Sequence, residues 1–190
     1  MPDPILTPRS GPLGYWDRLV GPGMTRGETV LVLGVSLIGT VLTALHLWSL
    51  GLSPLLILIG ALIAFDVIGG AVCNMTETTK RWFHRAGQTA KDHLGFIGLH
   101  LLHIALVAWL FRGEGFDLAF MVVIGIWLLI SAALVLKTDN VLKQPLAVTM
   151  YVGALGFTLY LLGPTPGLEW FVPLLFIKLL MGHAIPPRQS

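Results

Sequence analysis

Two stretches of this chain carry ionisable side chains at helical spacing. Asp66, Gly70, Cys73 and Glu77 recur at i, i+4, i+7 and i+11, one stripe of a helix, with Asn74 and Lys80 at its flanks. His93, His100 and His103 recur at i, i+7 and i+10, an arc of roughly 80° at 3.6 residues per turn. The surrounding residues are apolar, and a polar group facing lipid is costly unless paired, so the two stripes are expected to face each other.

A carboxylate beside two imidazoles admits three chemistries. Asp66, His100 and His103 could bind a catalytic zinc or iron, with an open position for water. Asp66 could instead accept a hydrogen bond from a neutral His100 while His103 bonds a carbonyl, a purely structural pair. The third possibility is a proton or ion relay, because a buried carboxylate next to histidine titrates near neutrality. The spacing alone does not choose among them. Other enzyme classes drop out at the motif level. The chain has no HExxH, GxSxG or Ser-Lys arrangement, and its six histidines form none of the HxxxH or HxxHH boxes of membrane desaturases. His46 and His103 differ by roughly 6 Å in expected depth, too much for the axial pair of a b-type haem.

Depth supports the pairing of the stripes. At 1.5 Å per residue Asp66 lies about 12 Å inside a membrane boundary near Asn74, and His100 about 13 Å inside one near Lys91. The expectation is a cavity with Asp66, His100 and His103 at its floor. Asn74, Glu77, Lys80, Arg81, His84, His93 and His183 would ring its mouth as substrate-binding residues. Hydroxyls, cations and an imidazole between Thr76 and Arg85 suit the phosphate or carboxylate head group of a lipid or isoprenoid. A short basic loop also arises from membrane topology alone.

The elements that must position these residues are membrane spans. The 190 residues are 55% hydrophobic and only 12% charged, about half the charge of a soluble chain. A formal charge of +2 without a basic patch excludes nucleic acid as a partner, and the single Cys73 excludes a disulfide framework. Six apolar runs approach the roughly 20 residues a span requires, at 29–50, 54–73, 94–111, 116–136, 145–162 and 168–181. The last is short and interrupted by Pro173. With six spans, every one of the 12 Lys and Arg residues except Arg112 falls on one side, which predicts cytoplasmic N- and C-termini.

The predicted fold is therefore an all-α polytopic bundle of six transmembrane helices, 27–185, in the inner (plasma) membrane. A flexible, interfacial, proline-rich tail (1–26) and a short C-terminal tail (186–190) flank it. The function expected of it is an intramembrane enzyme whose partner is a membrane lipid or lipid-like isoprenoid. It would act by metal-assisted hydrolysis, with zinc or iron, or by acid-initiated cyclisation or transfer. A small transporter using Asp66 as a proton or cation site, and a structural membrane subunit, are the competing classes. The outer half offers little polar path beyond His46, which favours a dead-end cavity.

Overall fold

The computed structural model describes residues 7–188, and among these every regular element is helical. The helices are α1 (Pro12–Val20), α2 (Arg26–Ser49), α3 (Pro54–Cys73), α4 (Glu77–Phe83), α5 (Ala90–Leu99), α6 (Leu101–Leu110), α7 (Leu118–Lys137), α8 (Asn140–Gly156) and α9 (Phe171–Phe176). A π-helical turn, Phe157–Leu162, prolongs α8, and another, Ile177–His183, prolongs α9. Five helical stretches are long and apolar enough to cross a membrane: Arg26–Ser49, Pro54–Cys73, Ala90–Leu110, Leu118–Lys137 and Asn140–Leu162. Phe171–His183 is apolar but shorter, about 20 Å at the α-helical rise against a hydrocarbon core of about 30 Å.

Local chemistry sets the helix ends. Thr25 and Glu28 close a capping box on α2, and Ser53 caps α3 ahead of Pro54. Gly51, at φ 75°, makes the turn between them. Thr89 and Asp92 close a second capping box, so the third long helix starts at Ala90, four residues before the apolar run does. Pro145 lies inside α8 instead of starting it. The carbonyl that its missing N–H leaves free belongs to Val141, which is 87% exposed at the helix end. Pro173 sits in the first turn of α9, where no intrahelical bond is lost, so it does not kink that helix.

The outward faces of α2 and α8 are apolar, with Leu37, Val41, Val148 and Val152 exposed, as a lipid-facing surface requires. Inside, Val67, Ile97, Ile104, Ile124, Phe171 and Leu179 belong to one continuous core. Small residues bring α2 and α3 together: a Cβ on Gly69 would overlap the Ser36 hydroxyl, and one on Gly39 would meet Ile68. The end remote from Asp66 is closed by Arg112, whose guanidinium binds Asp117 at 2.6 Å, the Leu162 carbonyl at 2.7 Å and Thr165 at 2.9 Å.

Of the flexible tail that the sequence suggests over residues 1–26, residues 1–6 lie outside the described residues, and Pro12–Val20 is a docked helix. The Arg9 side chain and backbone N–H both bind Asp17, while Thr79 Oγ1 donates to the Val20 carbonyl at 2.6 Å and Trp82 Nε1 to the Arg18 carbonyl at 3.1 Å. Gly21, at φ 98°, lets the chain pass Trp82 and Thr78 where a Cβ would clash with both. Leu13, Tyr15 and Leu19 are exposed on α1, giving it the apolar face of an interfacial helix.

Candidate functional site

The two polar stripes meet at Asp66. His103 Nε2 lies 3.3 Å from Asp66 Oδ2, and His100 Nε2 lies 3.9 Å from the same atom. The His100 and His103 rings stack at 5.2 Å between centroids. The fourth member of the cluster is Lys178, whose Nζ donates to Asp66 Oδ2 at 2.6 Å and to the Asp66 carbonyl at 3.1 Å. Lys178 reaches the carboxylate because Gly70 has no side chain: a Cβ there would sit 2.5 Å from Lys178 Cε. It comes from the π-helical turn after α9, the kind of irregularity that recurs at functional sites.

Hydrogen-bond direction narrows what the histidines do. His100 Nδ1 lies 2.9 Å from the Phe96 carbonyl, which can only accept, so Nδ1 carries the proton. A neutral His100 therefore has a bare Nε2 and does not donate to Asp66, which rules out the structural pair in the form expected from spacing. His103 approaches the carboxylate through Nε2, and among the described residues its buried Nδ1 has no hydrogen-bond partner.

The donor set leaves a cation few free positions on Asp66. His100, anchored through Nδ1 with Nε2 free, has the arrangement of a ligand. Lys178, however, places an ammonium on the carboxylate oxygen that a cation between Asp66 and His103 would need. Among the described residues, no group of three or more His, Cys, Asp or Glu is placed to hold a metal ion.

Asp66 and Lys178 border an open pocket of about 200 Å³ beneath α1, between that helix and α2 and α3. Trp16, Leu33, Phe65 and Phe96 form much of its wall, while Ser36, Cys73 and Asn74 supply a few polar atoms. The Asp66 side chain is 47% exposed and that of Lys178 only 4%, so the carboxylate is the more exposed of the two, although both line the pocket. This combination of an apolar wall and one convergent polar cluster is characteristic of small-molecule sites.

The residues expected around one mouth are dispersed instead. Asn74 reaches the pocket edge, but its Nδ2 donates to the Lys178 carbonyl at 3.1 Å, and Gly182 admits it closely. Glu77 lies beyond the end of α3, because the helix stops at Cys73, and its carboxylate accepts from Arg188 N at 3.3 Å. Lys80 Nζ donates to the Met181 and Ile185 carbonyls, and burial lowers its pKa to about 8. Glu77 and Lys80 line a separate cleft of about 210 Å³. Arg81 is exposed.

His84, His93 and His183 gather at a third place. His93 Nδ1 is 3.1 Å from His183 Nε2, His84 Nε2 donates to the His183 carbonyl at 2.9 Å, and the His84 and His93 rings are 4.4 Å apart. Burial, reinforced by His93, lowers the His84 pKa to about 4. Asn74 at the end of α3, Lys80 in α4 and His84 just after it all bond to the π-helical turn that carries Lys178 or to Ile185 beyond it, so they position the site without lining its centre.

Spacing alone did not single out Lys178, Trp16, Phe65 or Phe96. The signal for Lys178 was a lone cation in an otherwise apolar run, Leu174 to Met181. Comparison of the chain with protein-family models, with curated proteins and with solved structures finds no match.

Proposed function

We propose that this chain is an intramembrane protein of six spans, with both termini on the cytoplasmic side. On this reading it binds a lipid-like or isoprenoid molecule beneath α1 and performs acid–base chemistry on it. The observation that carries this reading is the Asp66–Lys178 pair at the wall of an apolar pocket, with His103 on the same carboxylate oxygen. Ionisable groups inside a membrane are costly, and setting a buried lysine against a half-exposed carboxylate at the wall of an apolar pocket brings no packing benefit. Lys178 would donate a proton to the oxygen of the ligand, Asp66 would hold that ammonium in place, and His103 would exchange protons with the carboxylate.

The pocket and the surroundings of Asp66 favour a dead-end site over a transport path. Toward the end closed by Arg112, α3 continues through Ile63 and Gly60, with Leu47 and Phe111 packed against Gly60. The route on that side is apolar. The orientation rests on the distribution of Lys and Arg, and the cytoplasmic-side opening follows from it.

Retinol, an isoprenoid alcohol whose absorption overlaps tryptophan emission, tests the binding step in lipid nanodiscs. The reading expects saturable quenching that is lost in large part in Trp16→Phe and shifted about ten-fold weaker in Lys178→Ala, the scale of one charge-assisted hydrogen bond. Non-saturable quenching, identical in both variants, would refute it.

A further inference from the structure

Three lysines are buried among the described residues, and their surroundings differ in kind. Lys80 Nζ donates to the Met181 and Ile185 carbonyls, and Lys143 Nζ to the Val135 and Leu136 carbonyls, so both serve as caps on backbone. Among the described residues Lys178 Nζ donates only to Asp66, through its carboxylate and its carbonyl, and it borders the pocket beneath α1. A structural ion pair needs neither the pocket nor the two histidines beside the carboxylate.

The pair also constrains the ligand. Asp66 and Lys178 are 2.6 Å apart and neutralise each other at the pocket wall, so an anionic head and a cationic head would each give up hydration without meeting an unpaired counter-charge. A neutral oxygen head meets neither penalty. Among neutral heads, a carbonyl is the one with which a primary amine reacts.

We propose that the ligand is a lipid aldehyde, long-chain or isoprenoid, and that Lys178 condenses with it to form a Schiff base. This rests on the lipid-binding reading above and names its substrate class. The Lys178 ammonium passes one proton to the Asp66 carboxylate. The freed amine attacks the carbonyl carbon, forming the C–N bond, and the carbonyl electron pair moves to oxygen, which takes a proton from Asp66. The hydroxyl of this carbinolamine then leaves as water as the nitrogen lone pair forms the C=N bond; the proton that completes the water comes from the nitrogen by way of Asp66. The sum is one aldehyde plus one ammonium giving one protonated imine plus one water. Asp66 ends as the carboxylate counter-ion of the iminium, with His103 beside it as a further proton acceptor.

The test is reductive trapping on the intact chain in nanodiscs, using hexadecanal with cyanoborohydride, followed by peptide mass spectrometry. The proposal expects N-hexadecyl-lysine at Lys178 to form well ahead of the exposed Lys91 and Lys137, and to slow roughly a hundred-fold in Asp66→Asn. It also expects no adduct at this position in Lys178→Arg, which keeps a cation for Asp66. Hexadecanol, which binds but cannot condense, should displace retinol. Labelling of Lys178 no faster than of Lys91 and Lys137, with hexadecanol still displacing retinol, overturns the Schiff base and leaves the lipid-binding reading standing. Failure of both hexadecanol and hexadecanal to displace retinol overturns the lipid-binding reading and the proposal together. The comparison among lysines is internal to the wild-type chain, so it holds even if a variant misfolds.

Discussion

Lys178 Nζ and Asp66 Oδ2 meet at 2.6 Å although 112 residues separate them in the chain. The bond joins the end of the last helix to the middle of α3, across the position left open by Gly70. The two partners are unequally accessible, and the consequences of removing them differ accordingly.

Asp66→Asn leaves a 4%-exposed ammonium without a counter-charge, whereas Lys178→Met leaves a half-exposed carboxylate still facing His103. The first is expected to destabilise the fold by about 3–5 kcal/mol, the usual cost of stranding a buried charge. The second should cost about 1–2 kcal/mol, and the double variant should lie closer to Lys178→Met than to the sum. Denaturant titration of the three variants in the same detergent measures this; equal losses for the two single variants would contradict the assigned burial.

Gly70→Ala introduces a Cβ within 2.5 Å of Lys178 Cε and 2.8 Å of Nζ. The lysine must move, because its stem is confined, so retinol quenching should weaken about ten-fold while helicity is kept. Circular dichroism and the quenching titration separate the two effects. Gly95→Ala is the control, since a Cβ there meets nothing within 4 Å among the described residues.

Arg112 stabilises the opposite end without touching the site. Arg112→Ala removes bonds to Asp117, Leu162, Gly163 and Thr165, and the expected loss is about 2–4 kcal/mol in unfolding measurements. Retinol affinity of the protein that remains folded should not change.

His84 makes stability pH-dependent. Burial holds its pKa near 4, below the ordinary 6.5, so between these values the unfolded chain binds more protons than the folded one. The contribution is complete above pH 6.5 and is lost as pH falls from there toward 4. Thermal unfolding should therefore shift downward across this window by the equivalent of about 1–3 kcal/mol. In His84→Gln, which keeps an N–H donor for the His183 carbonyl, the slope should flatten.

How much of this was legible in the sequence follows from what fixes each feature. Asp66, His100 and His103 were brought to one level by the helical rise alone, which is independent of tertiary context. Lys178 was not, because the charge count assigns it to the cytoplasmic side. The last helix is short and ends in a π-helical turn that sets Lys178 beside the middle of α3. The mouth residues were extrapolated along α3, but the helix ends at Cys73 and α4 departs from its line, which carries Glu77 and Lys80 away. Docking of α1 depends on Thr79 and Trp82, 59 and 64 residues from their partners, and no local pattern announces contacts of that range. The all-helical class was set by composition, because backbone polar groups in lipid must bond within their own helix.

The most direct measurement is photo-crosslinking with a diazirine-bearing isoprenoid alcohol in liposomes, with labelled residues mapped by mass spectrometry. The account predicts label concentrated at Trp16, Phe65 and Phe96 around the Asp66–Lys178 pair, competed away by unlabelled farnesol and reduced in Gly70→Ala. Label spread evenly over the exposed faces of α2 and α8, at Leu37, Val41, Val148 and Val152, and insensitive to farnesol, would contradict it.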